Sequence, residues 1–345
     1  MIIKLKNCSI GKDCNTKIIA EIGINHGGVL ENAIRMADLA IKSGADIIKH
    51  QTHFVDDEMS EEAKTWKVSY IGSSIYELMD KCSLSKDDEV KLKQFVEKKK
   101  KCYLSTPFSR AASNFLNKIG VSGFKIGSGE CNNLPLIEHI AKFKKPIILS
   151  TGMNDINSVK KSVEILKKYK IDFALMHTNN SYPTLDKDVR LNGILELKKN
   201  FQNTLIGYSD HSIGKLACIG AASLGVSLIE KHFTDNFKRK GPDIQCSMNP
   251  RLCKEIVEDV KRINLMREGK KGLNKCEYSV SEFAFSSVVS IKEIKKNETF
   301  TKKNIWVKRP GTGDFRANEF ARILGKKAKS LIRKDIQIKK KHVCE

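Results

Sequence analysis

The stretch "LIEKHFTD", residues 228–235, begins as an apolar run suited to a buried strand and ends on Glu230, Lys231 and His232, three groups that resist burial. Side chains alternate between the faces of a strand, so Glu230 and His232 share one face and Lys231 takes the other. A strand that turns polar only at its C-terminal end fits a parallel barrel, where the active site is assembled at that end of every strand.

The pattern recurs upstream. "KIIAEIG" (17–23), "ADIIKHQ" (45–51), "CYLSTP" (102–107), "GFKIGS" (123–128), "PIILST" (146–151), "DFALMH" (172–177) and "TLIGYSD" (204–210) are further short strand-like runs, which with "SLIEKHF" (227–233) make eight. Helical periodicity fills the gaps near 30–43, 86–100, 109–118, 134–142, 155–168, 190–199, 213–223 and 250–267, with Asn154-Asp155 and Ser212 as N-caps. Eight strand–helix repeats predict a (β/α)8 TIM barrel, class α/β, over residues 1–268. An open doubly wound sheet is disfavoured because "GINHGG" (23–28) lacks the Gly-x-Gly-x-x-Gly spacing. The 52–84 insertion is too long for a plain connection and reads as a lid or substrate loop. Residues 269–285 read as a polar linker, and 286–345 as a small β-rich domain with one helix, too small to be more than marginally stable alone.

Composition narrows the class. The 345-residue chain is 40% hydrophobic, and no apolar run approaches the ~18 residues of a membrane span or follows a basic leader, so a cytoplasmic protein with no membrane partner is expected. Its ten cysteines stand singly, without a Cys-x-x-Cys pair, and read as reduced thiols; Cys131 in "GSGECNN" reads as a packing residue rather than a nucleophile. The net charge of +22 invites nucleic acid, but lysine is spread over solvated helical faces such as "EKKKK" (97–101), so no nucleic-acid partner is expected. From Ser286 onward seventeen Lys or Arg face six Asp or Glu; this bias suits an anionic ligand, an acidic partner or compositional drift alike.

The strand ends supply Glu21 with Asn25-His26, Lys49 with Gln51 and His53, Thr106, Lys125 with Ser128 and Glu130, Ser150-Thr151, His177 with Asn179-Asn180, Ser209 with His211, and Glu230 with His232. His211 and His232 close neighbouring strands and can converge on a borderline divalent metal, with Glu230 orienting a ligand and Lys231 facing the helices; two core histidines are the alternative. Lys49 and Lys125 among hydroxyls suit a phosphate or carboxylate, or else a Schiff-base amine.

With these residues laid out, the sequence resembles the bacterial N-acetylneuraminic acid (sialic acid) synthases over nearly its whole length. The shared stretches include "EIGINHGG" (21–28), "IIKHQTH" (47–53), "LSTPFSRAA" (104–112), "FKIGSGECNN" (124–133), "YSDHS" (208–212), "KHFTD" (231–235), "GPDIQCSM" (241–248), "FAFSSVVS" (283–290) and "NIWVKRPGTGDF" (304–315). The resemblance implies a TIM barrel followed by a small antifreeze-like (SAF, β-clip) domain, in a domain-swapped homodimer. It implies condensation of phosphoenolpyruvate with N-acetylmannosamine, dependent on a divalent metal, Mn2+ above others. Position by position, His211 and His232 would hold the metal, and Lys49, Thr106, Lys125, Ser128, Ser150, Asn180 and Ser209 the carboxylate and phosphate of the donor. Glu21 would lie near the reacting centre as a catalytic carboxylate. Gln51, Glu130, Tyr182, Asp243, Phe283 and the partner subunit's Arg309 would surround the sugar, with Glu130 also catalytic.

One departure stands out. Where these synthases carry a Pro-Gly-Asn loop, this chain has Val68, Ser69 and Tyr70, which changes volume and hydrogen bonding near the acceptor. Legionaminic and pseudaminic acid synthases share the chemistry, but "KHQTH" and "GSGECNN" resemble the neuraminate branch more.

Overall fold

Alternate residues of eight parallel strands point into one interior. In the computed structural model, which describes residues 1–11, 15–66 and 74–344, the chain divides into two compact units, Met1–Glu268 and Gly269–Glu345. The first opens with an antiparallel hairpin, β1 (Ile2–Leu5) and β2 (Cys8–Gly11). The barrel strands follow: β3 (Lys17–Gly23), β4 (Ile47–Thr52), β5 (Cys102–Pro107), β6 (Phe124–Ile126), β7 (Ile147–Ser150), β8 (Phe173–Thr178), β9 (Leu205–Asp210) and β10 (Leu228–His232). Their order is β5-β4-β3-β10-β9-β8-β7-β6, every paired neighbour parallel. The two terminal strands meet where a Cβ on Gly127 would stand 3.7 Å from Thr106 Cγ2.

The period of two sorts the residues into layers. Ile19, Ile47, Leu104, Ile148, Ala174, Met176, Leu205 and Leu228 fill the lower interior, and Ile3, Leu5 and Ile10 of the hairpin join this cluster. Ile18, Ala20, Ile48, Tyr103, Phe124, Leu175, Ile206 and Ile229 face outward and pack with the helices. The hairpin went unread in the sequence because two four-residue strands leave too short an alternation to stand out.

The eight major helices run Leu30–Lys42, Lys86–Lys98, Arg110–Lys118, Leu134–Ala141, Ile156–Lys168, Asn192–Asn200, Leu216–Ser223 and Pro250–Met266. Ser85, Ser109, Asn133, Asp155 and Asn249 each accept a backbone N–H in their first turn, which stabilises a helix start by about 1 kcal/mol. Ser212 does not cap: the helix starts at Leu216, and the Ser212 side chain and N–H both bond Asp210 instead. The 52–84 insertion contains short helices Val55–Glu58, Glu61–Thr65 and Ile75–Cys82. Val68, Ser69 and Tyr70 lie outside the described residues, as does Cys14. Cys82, Cys102, Cys131, Cys218, Cys246, Cys253, Cys276 and Cys344 are free thiols, and burial raises the Cys131 thiol to about 11, which keeps it protonated. No helix among the described residues is long and apolar enough to cross a membrane.

The second unit contains a helix, Tyr278–Ala284, inside the stretch whose composition suggested a linker. Strands β11 (Ser287–Ser290) and β12 (Ile305–Lys308) pair antiparallel, and Val288, Ile294, Phe300, Ile305, Ile323, Ala328, Ile332 and Ile338 form a separate small core.

Candidate active site

Above the apolar layers the interior turns polar. Continuing the inward positions of β3, β4, β5, β6, β7, β9 and β10 by two residues reaches Glu21, Lys49, Thr106, Lys125, Ser150, Ser209 and Glu230, all at most 5% exposed. The outward neighbours His26, His50 and His177 are excluded from this group. His50 Nε2 lies 3.2 Å from His26 Nε2, and His177 Nε2 donates to the Val189 carbonyl at 3.0 Å. Lys231 also faces the helices, as alternation requires, paired with Asp210 at 2.7 Å.

A cavity of about 130 Å3 opens on the polar layer, lined by eleven of the expected residues. Lys49 and Gln51 enter it from β4, Thr106 from β5, Lys125 and Ser128 from β6 and its loop, and Ser150 from β7. Asn180 and Tyr182 enter from the loop after β8, Ser209 and His211 from β9, and His232 from β10. Glu21 lies against Lys49 as its ion-pair partner. Asp243 places Oδ2 3.5 Å from His232 Nδ1. Glu130 does not line the cavity; it is half-buried on the loop after β6, where its Oε2 accepts from Asn133 Nδ2. Phe283 and Arg309 belong to the second unit, where the guanidinium stacks over the ring at 5.7 Å. Glu230, read from the sequence as orienting a ligand, lines the cavity together with Thr178 and Phe108, which were not singled out. The period of two signals the first two, whereas Phe108 follows the strand and carries no such signal. A larger cavity of about 500 Å3 lies beside Gly152, His177 and Arg190, but neither the paired imidazoles nor the lysines reach it.

The charges interlock. Lys125 Nζ donates to Ser150 Oγ at 2.6 Å and stands 3.7 Å from Glu230 Oε1, while Lys49 Nζ donates to Thr106 Oγ1 at 3.2 Å and stands 4.0 Å from Glu230 Oε2. Burial pushes the Lys49 ammonium down to about 7, with Lys125 adding to the shift and Glu230 opposing it. Burial lowers Lys125 too. Burial alone would raise Glu230, but the two ammonium groups hold its carboxyl below the usual range. Burial lifts Asp243 to about 6.

The imidazoles meet with ring centroids 5.4 Å apart, and Tyr182 stacks on His211 at 4.2 Å and turns its edge to His232 at 5.9 Å. His211 Nδ1 lies 2.6 Å from the Asn179 carbonyl, an acceptor only, so it carries the proton and leaves Nε2 with a lone pair. Burial drives His211 to about 4 and His232 well below its ordinary value, so both rings are neutral near pH 7. Neutral nitrogens, one fixed by a carbonyl behind it, suit a borderline divalent cation. Among the described residues no group of three or more His, Cys, Asp and Glu could hold a metal ion. Asn180 Oδ1, Glu230 Oε2 and His232 Nδ1 are buried without hydrogen-bond partners, and all three residues line this cavity. Such orphans cost about 1–3 kcal/mol each unless a ligand satisfies them.

The NeuB family model matches residues 36–271, and a SAF domain model matches 285–343. The chain belongs to the NeuB family. It is therefore an enzyme of the phosphoenolpyruvate-dependent condensing class. It is 35% identical to an N,N'-diacetyllegionaminic acid synthase of Campylobacter jejuni, over 93% of this chain and 98% of that one. It is 30% identical to the human N-acetylneuraminate-9-phosphate synthase, over 92% and 90% respectively. The crystal structure of the N-acetylneuraminic acid synthetase of Leptospira borgpetersenii in complex with citrate superposes with a TM-score of 0.75 at 32% identity, covering 81% of this chain and 95% of that one. The chain thus carries both a NeuB region and a SAF domain.

Proposed function

We propose that this NeuB enzyme is an N-acetylneuraminate synthase, condensing phosphoenolpyruvate with N-acetylmannosamine to give N-acetylneuraminate and phosphate. The carrying observation is that two ammonium groups, several hydroxyls and two neutral imidazoles line one cavity of about 130 Å3. That volume is far below the ~300–1,000 Å3 of drug-sized sites, so it suits a small anion with the acceptor sugar at its mouth.

In this reading Lys49 and Lys125, with Thr106, Ser128, Ser150, Asn180 and Ser209, hold the donor's carboxylate and phosphate through charge-assisted hydrogen bonds. His211 and His232 hold a divalent cation, Mn2+ in this proposal, which when bound supplies Lewis acidity toward the open-chain aldehyde of the acceptor. The fixed charges of Lys49, Lys125, Glu21 and Glu230 cancel, so a multiply anionic donor is better balanced with that cation beside it. Gln51, Tyr182 and Asp243 orient the sugar. Phe283 and the partner subunit's Arg309 complete its site in a domain-swapped homodimer, and the enzyme is cytoplasmic.

The donor's C3 attacks the aldehyde carbon, forming the new C–C bond and leaving positive charge at C2. The Glu21 carboxylate stabilises that charge, and Glu130, whose carboxyl burial raises, relays protons at the sugar side. Water adds to C2 and gives up a proton. The C–O bond to phosphate then breaks, leaving the ketone and free phosphate. The lysines act as electrostatic holders of the donor, Lys49 while it is protonated, and their ion pairing to Glu21 and Glu230 suits this role better than a Schiff base.

A second reading, a legionaminic acid synthase using a related 2-acetamido sugar, is favoured by the 35% identity to the Campylobacter enzyme. One assay separates the readings: phosphate release from phosphoenolpyruvate, with N-acetylmannosamine or other 2-acetamido sugars, with and without chelator, for the wild type and His211→Ala. Release with N-acetylmannosamine that is lost with chelator and in the variant is the expected result. Indifference to N-acetylmannosamine defeats the main reading, and covalent trapping by borohydride would favour an aldolase.

A further inference from the structure

Behind the two imidazoles, on the helix side of the barrel, lies a second polar cluster. Asp210 and Lys231 are register partners on β9 and β10, at 0% and 1% exposure, with Nζ and Oδ2 2.7 Å apart. Each immediately precedes a candidate metal ligand, His211 or His232.

The pair is saturated. Asp210 Oδ1 accepts from Ser212 N at 2.9 Å, Ser212 Oγ at 2.7 Å and the Tyr208 hydroxyl at 3.0 Å, while Oδ2 accepts from Cys218 Sγ at 3.2 Å as well as from Lys231. Lys231 Nζ also donates to the Ser212 carbonyl at 2.6 Å. The residue after His211 is thus held at its N–H, its hydroxyl and its carbonyl by two side chains that flank it from different strands. The His211 carbonyl itself accepts from Thr184 N at 2.9 Å.

A buried ion pair is a costly way to join two strands, because the desolvation of both charges offsets most of their attraction, and apolar residues of similar volume often serve as well. What an apolar pair cannot do is fix the backbone on both sides of one residue. We infer that Asp210 and Lys231 are positioning residues, which clamp the turn at Ser212 so that the His211 ring is aimed at His232. This rests on the proposal that the two imidazoles hold a divalent cation. Outer groups that orient ligating histidines typically change metal affinity by about 10–100-fold.

The test uses the double variant Asp210→Asn with Lys231→Met, which leaves no uncompensated buried charge and keeps an oxygen for the Ser212 bonds, and the milder Ser212→Ala, which retains the ion pair. Two readouts are taken on the full chain: Mn2+ affinity by titration calorimetry, and 15N spectra of the imidazoles, feasible with only eight histidines and assigned with His211→Gln. The expected results are Mn2+ binding weakened about 10–100-fold in the double variant and about two- to fivefold in Ser212→Ala, with loss of the protected Nδ1–H of His211 in the double variant. Wild-type Mn2+ affinity and an unchanged His211 signal in a folded double variant overturn the inference. Should that variant not fold, an unchanged Ser212→Ala does so. Absence of Mn2+ binding by the wild type defeats the metal reading itself, and the His211 signal then decides the positioning role separately.

Discussion

Glu230 Oε1 lies 3.7 Å from Lys125 Nζ while accepting a hydrogen bond from Ser209 Oγ at 3.0 Å. With its other oxygen 4.0 Å from Lys49, this carboxylate is the counter-ion that opposes the lowering of both lysines by burial. Glu230→Gln keeps the shape and the Ser209 bond but leaves buried ammonium groups short of one negative charge. A loss of about 3 kcal/mol is expected. Phosphoenolpyruvate should raise the melting temperature of this variant more than that of the wild type, since the donor replaces the missing charge. A thermal-shift titration reads both effects, and an equal ligand shift in the two proteins contradicts the account.

The depressed Lys49 value sets a pH dependence. The lysine is cationic below about 7 and neutral above it, so kcat/KM for phosphoenolpyruvate should fall as pH rises through that value, by about tenfold at pH 8. Stability moves oppositely. Between about 7 and the ordinary lysine value the unfolded chain keeps a proton that the folded one has released, so the contribution of Lys49 to stability rises with pH across that window. Lys49→Met should flatten both profiles.

Gly152 is required by space. Its N–H donates to Ser128 Oγ at 3.1 Å, and a Cβ there would collide with Asn180 Oδ1, Thr178 Cγ2 and Ser128 Oγ. Gly152→Ala should displace Asn180 and Ser128 together. The expected cost is about 1–3 kcal/mol of stability and a rise of about tenfold in KM for the donor, measured by steady-state kinetics.

The hairpin plug offers a contrast. Ile10 is fully buried among the lower barrel residues, well away from the polar layer in the sequence of inward positions. Ile10→Ala should lower stability by about 2–5 kcal/mol in urea unfolding while KM for both substrates stays within about twofold. A large kinetic effect without destabilisation would mean that the plug shapes the cavity.

Much was legible before any coordinates. Eight runs and their intervening helices are local patterns of period 2 and 3.6, and each appears where the periodicity puts it. Lys49, Lys125, His211 and His232 were readable because a barrel forces the C-terminal ends of its strands to one rim. The direction of His26 was not, since it follows the last regular residue of β3, where a turn decides the face, whereas the outward face of His177 follows from alternation within β8. Ser212 reads as a helix cap by composition, yet Asp210 and Lys231 compete for its groups and win.

By itself the sequence determined the order of strands and helices, the inward or outward face of each residue within a strand, and the residue types delivered to the rim. All follow from backbone geometry acting over a few neighbours. Only the tertiary structure decided which of those groups meet: that Glu230 neutralises two lysines, that Asn179 fixes the His211 proton, and that Asp210 and Lys231 brace the turn behind it. Electrostatic pairing depends on distances between distant parts of the chain and on the water excluded from around them, and neither quantity exists until the barrel closes.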